Sequence, residues 1–172
     1  MKSMLKVLFC LVFFNILGCS QSSHEVDLSK SIYNTFFKDI NIITIDKTIE
    51  QEHHRVIVDG EDLNIIKEEM KIISNIREVS IDVFIGSKKG FHALFIDKRH
   101  TKPENFLTVL YSIEEQMMIV RKCDVYPQIK VDFPNIEVYE FKMPEKVSII
   151  LEKYEQMLPE EGRFFITWPF DY

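Results

Sequence analysis

Apolar and polar positions change period several times along the chain, and each change marks an element. Leu28, Ile32, Phe36 and Ile40 recur every fourth residue behind Asp27, the spacing of one helix face with a capping side chain in front of it. Asn41 to Ile49 and His54 to Val58 are rich in isoleucine and valine and read as strands, the second closing at Asp59-Gly60. Leu63, Ile66, Met70 and Ile73 then share one face of a second helix, from Asp62 to about Asn75, with Lys67, Glu68 and Lys71 off it. Val79, Ile81, Val83 and Ile85 alternate with Ser80, Asp82 and Phe84. After Gly86-Ser87-Lys88-Lys89-Gly90 the chain returns through Phe91 to Ile96, which predicts a β-hairpin with a basic loop.

The next stretch carries two competing signals. Thr101-Lys102-Pro103-Glu104 fits a capping box that opens a helix, whereas Leu107, Val109, Tyr111 and Ile113 alternate as in a strand. Met118 to Arg121 supplies a hairpin partner across Glu114-Glu115-Gln116, and the alternation favours the hairpin. Ile129 to Phe133 and Ile136 to Phe141 read as strands broken at Pro134-Asn135. Pro144, in the first turn of a last helix, has no N–H to waste, and Val147, Ile150, Leu151, Tyr154 and Leu158 form its apolar stripe. Pro159 stops that helix, and Arg163 to Trp168 reads as a final strand. No repeat or linker divides these elements. They predict a single α+β domain over residues 28–172, mainly an antiparallel sheet of about six strands packed with two or three helices.

Composition agrees with one packed domain: 172 residues, 46% of them hydrophobic and 12% aromatic. Charge narrows the partners. The chain carries 21 basic and 27 acidic residues, and residues 1–18 hold Lys2 and Lys6 but no acid. Without that segment, 19 bases stand against 27 acids, a net charge of −8. A nucleic-acid partner is disfavoured, because binding to phosphates needs a basic surface. Adhesion of the whole body to anionic lipid is disfavoured for the same reason, so attachment to a membrane has to come from something other than net charge.

The first residues supply it. Two lysines precede an apolar run from Val7 to Phe14, followed by Asn15, Ile16 and Leu17. This is the layout of a secretory signal, and the run bounded by Lys6 and Asn15 is well short of the roughly 18 residues that a spanning helix needs. Ile16-Leu17-Gly18-Cys19 resembles the lipobox of bacterial lipoproteins, although Leu17 is bulkier than the usual small residue there. The resemblance covers residues 1–19 only. It implies cleavage of a signal peptide over residues 1–18 and a diacylglyceryl thioether on Cys19, with a palmitate-type acyl group on the new amine. Such a lipid anchor holds the protein to the bilayer in the cell envelope, since several chains bind stably where one, at ~0.8 kcal/mol per methylene, does not. In a cell with an outer membrane, Ser20 after the cysteine fits onward export to it. Residues 19–27 then form the acylated cysteine and a short polar tether. Cys10 leaves with the signal and Cys19 is acylated, so Cys123 has no intramolecular partner; it reads as a buried small hydrophobe, with a reactive thiol or a dimer bridge as the alternatives.

Catalytic and cofactor patterns are absent from the sequence. Gly86-Ser87-Lys88-Lys89-Gly90 lacks the following helix and the Lys-Ser/Thr pair of a phosphate loop. His53 and His54 are adjacent and point to opposite faces of a strand, and no HExxH, CxxC or His-x-His occurs, so no metal site is expected. Asp59-Gly60-Glu61-Asp62 lacks the ligand spacing of a calcium loop and serves as a turn and helix start. No nucleophile elbow is present, and Glu114-Glu115 and Glu160-Glu161 read as solvated turns. A site assembled from scattered residues would show as a deep pocket lined by His92, His100, Cys123 and carboxylates.

Aromatic residues are dense toward the C-terminus. Trp168, Phe170 and Tyr172 continue past Pro169, which interrupts strand pairing, and are candidates for contact with a protein partner; packing back on the core is the simpler reading. The expected function is a membrane-tethered, non-enzymatic binding or envelope-associated lipoprotein with no cofactor. The alternatives are an inhibitor or immunity-type protein that captures a basic partner, and a hydrolase with a dispersed site.

Overall fold

The computed structural model describes residues 25–79, 90–97, 106–123 and 136–164. The signal segment, Cys19, Ser87 to Lys89, His100, Ile129 to Phe133, Trp168, Phe170 and Tyr172 lie outside the described residues. The first described segment is already helical. Helix α1 covers 25–37, and its last turn, Tyr33–Phe37, is π-helical, with the Lys38 N–H donating to Tyr33 O at 2.9 Å. Within this wider turn the adjacent Phe36 and Phe37 both lie in the core. Asp27 lies inside this helix and is not its cap.

Strands β1 (Ile42–Ile49) and β2 (Glu52–Val58) form a hairpin whose two linking residues, Glu50 and Gln51, both have positive φ, as a tight primed turn requires. Helix α2 spans Gly60–Glu69, shorter than the periodicity predicts. Lys71 N to Glu68 O and Ile72 N to Glu69 O are tighter, three-residue bonds, so Met70 and Ile73 stay buried on one face after the helix itself has ended. Five further strands follow: β3 (Arg77–Glu78), β4 (His92–Asp97), β5 (Phe106–Ser112), β6 (Met117–Cys123) and β7 (Ile136–Lys142). Helix α3 (Glu145–Glu155) and strand β8 (Arg163–Phe164) complete a single α+β domain.

The eight strands among the described residues, two more than expected, form one antiparallel sheet in the order β2-β1-β4-β5-β6-β7-β3, with β8 also beside β1. The β5–β6 hairpin is the one that alternation favours over a helix, with Tyr111 opposite Met118. Of the hairpin expected between Val79–Ile85 and Phe91–Ile96, the turn through Lys89 and all of the first strand but Val79 lie outside the described residues. β4 lies between β1 and β5, while Arg77 and Glu78 pair with Glu140 and Tyr139 of β7 at the other end of the sheet. Arg77 ends there on the buried Glu140 carboxylate, Nη2 to Oε1 at 2.8 Å.

The three helices cover one face of the sheet. Ile43, Ile45, Leu94, Val109, Tyr111, Met118, Val120 and Phe141 pack there against Phe36, Phe37, Ile66, Val147 and Leu151. Phe91, Ala93, Leu110, Ile119 and Val138 form a smaller cluster on the opposite face, as strand alternation demands. Helices α2 and α3 run antiparallel: Lys146 meets Glu69 (2.5 Å) at one end and Lys153 meets Asp62 (2.7 Å) at the other.

Candidate functional site

The site lies where the sheet divides. One edge of β1 is shared by two strands. β4 takes Ile42 to Ile45, and two residues further on β8 takes Lys47 and Thr48. Gly162 lets the chain reach that edge. Its φ is +103°, and a Cβ placed there would lie 2.7 Å from the Thr48 carbonyl oxygen and inside the Ile49 side chain. Phe164 consequently stacks on His92, centroids 3.8 Å apart and planes 16° from parallel, and fills the seam between β4 and β8.

Beneath the seam, three side chains from three elements meet at one oxygen. Glu155 Oε1 accepts from the Tyr111 hydroxyl at 2.6 Å and lies 2.6 Å from His92 Nδ1. A carboxylate only accepts, which assigns the imidazole proton to Nδ1 and leaves Nε2 as the other functional atom of the ring. Tyr111 is fully buried. Burial first, then the Glu155 charge and its hydrogen bond, push the phenol pKa up, so Tyr111 is a fixed neutral donor. His92 also meets Tyr111 edge-on, with planes at 87°. Its ring is therefore held on three sides.

Lys47 closes the site from β1. Its Nζ donates to the carbonyls of Pro159 (2.5 Å) and Glu160 (2.9 Å) and sits 4.7 Å from the centre of the Phe164 ring. These bonds satisfy two carbonyls past the end of α3 and fix the turn that leads to β8. The resulting cleft has a volume of about 750 Å³. Among the described residues, the carboxylates of Glu114, Glu152, Glu155 and Glu160 line it together with the ammonium of Lys47 and the imidazole of His92. Gly90, Ile113, Gln156, Leu158, Pro159 and Phe164 make up the remaining wall.

Chemically, a carboxylate–imidazole pair in a cleft can hold or move a proton. Covalent chemistry needs a nucleophile as well, and among the described lining residues there is no serine, threonine or cysteine. The lysine is committed to two carbonyls, and the phenol is buried.

Of the residues considered from sequence, the structure brings His92, Glu114 and Glu160 together. Glu114 and Glu160 are exposed turn residues, as expected, and also line the cleft. Cys123 is not among them. Its backbone pairs with Phe106, five residues along β6 from Met118, the partner of Tyr111, or roughly 17 Å at strand rise. His53 and His54 lie on β2, where His53 faces Thr48 and His54 approaches Glu52. Among the described residues no group of three or more His, Cys, Asp or Glu is placed to hold a metal ion.

Lys47 and Glu155 are the members that sequence reading missed, and both had a signal. Lys47 follows Ile43 and Ile45 at strand period on the core face. Glu155 follows Val147 and Leu151 at i+4 spacing on the buried stripe of α3. A charge on an apolar face marks a buried polar constellation.

No family model matches the chain, and searches among curated proteins and solved structures also give no match.

Proposed function

We propose that the protein is a bacterial lipoprotein, held in the cell envelope by acyl chains on Cys19, whose domain acts by binding a partner and not by covalent catalysis. The anchor rests on Ile16-Leu17-Gly18-Cys19 behind a short apolar run. The observation that carries the binding half is the committed state of the cleft: Lys47, Tyr111 and His92 each have a partner inside the protein. Such a site is built to keep its shape, which suits recognition. No helix among the described residues is long and apolar enough to cross a membrane.

One observation favours a narrower reading, that the partner is basic. Glu114, Glu152 and Glu160 ring the cleft on a body of net charge −8 after residue 18, an arrangement that attracts a cationic surface and sheds it at high salt. This is the chemistry of an inhibitor or immunity-type protein.

Both halves are tested by capture of the intact protein from its own envelope, with mass spectrometry of the N-terminal peptide. The expected result is an acylated Cys19 at the new N-terminus and a basic protein that elutes with salt. An unmodified cysteine refutes the anchor. A partner retained equally by a variant with Glu114, Glu152 and Glu160 all changed to Gln refutes the cleft as its site.

A further inference from the structure

At the far end of the α2–α3 pair from the cleft lies a surface of opposite character. Val26 is 65% exposed on α1, and Ile72, in the turn after α2, is 86% exposed. They line the same groove of about 630 Å³, together with Ser29, Lys30, Tyr33 and Lys71. Two bonds hold its walls together: Ser29 Oγ donates to Lys71 O (3.4 Å), and the Asn75 N–H donates to Glu25 Oε1 (2.6 Å). The other exposed large apolar side chains among the described residues, Ile57, Ile149 and Met157, are scattered over β2, α3 and the turn beyond it.

We infer that this apolar lip rests in the interface of the bilayer that holds Cys19. The inference depends on the lipid anchor proposed above. Its motive is the length of chain between anchor and lip. Only five residues separate Cys19 from Glu25, so even a fully extended tether places α1 within roughly 20 Å of the acylated sulfur. Ile72 and Val26 are thus brought to the one apolar phase within reach. Tyr33, half-buried behind them, has the amphipathic ring that favours the headgroup level.

Charge selects the same face. The body behind the tether is acidic and is repelled by an anionic leaflet, yet Lys30 and Lys71 flank the lip. Their long stems can lie along the apolar surface while the ammonium groups reach phosphates. Lys71 also pairs with Glu68 at 2.5 Å, and Glu25 stands at the rim, so the attraction is local and modest and the apolar contact sets the depth. Orientation follows from the helix pair. Residues at the start of α3 (Pro144 and Glu145) share a hollow with Ile72, while Glu152 and Glu155 near its end line the cleft, and its 11 residues span about 16 Å. With the lip down, the carboxylate cleft points away from the membrane.

The test uses the full lipidated chain, with Cys123→Ser leaving one introduced thiol for an environment-sensitive fluorophore. That thiol is Ile72→Cys or, at the cleft end, Met157→Cys. Each labelled protein is placed in vesicles of phosphatidylethanolamine and phosphatidylglycerol containing acyl-brominated lipid. Quenching at position 72 several-fold stronger than at 157 is the expected result. Equal, weak quenching at both sites, in protein that floats with the vesicles and carries acyl groups on Cys19, overturns the lip and leaves the anchor standing. Shielding at 72 that ignores bromine and grows with protein density assigns the face to a second copy, which also overturns it. Failure to float, with an unmodified Cys19, removes the anchor and the lip together.

Discussion

The lip and the cleft sit at opposite ends of the same antiparallel helix pair and solve opposite problems. At the lip, Ile72 and Val26 are apolar and left in the open; at the cleft, Tyr111 is polar and fully buried, and Glu155 and His92 are mostly so. An exposed apolar side chain costs the isolated domain little, and its removal is felt only where a partner phase is present. A buried polar group carries its consequence inside the fold, because leaving it unpaired exposes the full desolvation penalty. Mutations should therefore separate the two ends: the cleft through stability, the lip through location.

The largest effect is expected from Glu155→Leu. It removes the shared acceptor and strands the Tyr111 hydroxyl in the core, for a loss on the order of 2–3 kcal/mol in chemical denaturation. A loss below roughly 0.5 kcal/mol would mean that the three-residue cluster is not a structural unit. Tyr111→Phe is gentler, since the ring stays and only the hydroxyl goes. About 1 kcal/mol is expected, and the His92–Glu155 contact should survive in the imidazole nitrogen shifts. Ile72→Ser, at the other end, should change the denaturation midpoint by less than about 0.5 kcal/mol while the bound protein sits less deeply on vesicles. If it instead destabilises the domain as Glu155→Leu does, the contrast between the ends disappears.

The smallest effect is a pH dependence at the cleft end of the helices. The Lys153 hydrogen bond, aided by one from Tyr154, holds the Asp62 carboxyl below its usual range. A depressed carboxyl pKa stabilises the fold above the ordinary aspartate value, about 4, and the contribution fades as pH falls below it. Asp62→Asn should therefore lose slightly less stability than the parent between about pH 4 and 2, read as the narrowing gap between their urea midpoints.

How much of this was legible depended on the range of the interactions. Strands β1 and β2, the β5–β6 hairpin and helix α3 are specified by residues close in sequence: β-branched content pointed to the two strands, alternation to the hairpin, and Pro144 with its apolar stripe to the helix. The neighbours of β4 and of Arg77 and Glu78 illustrate the opposite case. Alternation says nothing of which neighbour a strand chooses, and β4 pairs with β1 and β5 while Arg77 and Glu78 pair with β7. The cleft is harder still, since Lys47, His92, Tyr111 and Glu155 come from four elements. Only the misplaced charges on the β1 and α3 core faces hinted at it. His92 alone, without the fold, had no partner to suggest a role.

The divided edge of β1 has a kinetic consequence. The hairpins can form from neighbouring segments, whereas Phe164 must travel back from nearly the other end of the domain to pair with Lys47. Contacts of such long loop closure are slow to form. The cleft is therefore expected to mature late, after most of the sheet, and to take shape only once the C-terminal strand has docked.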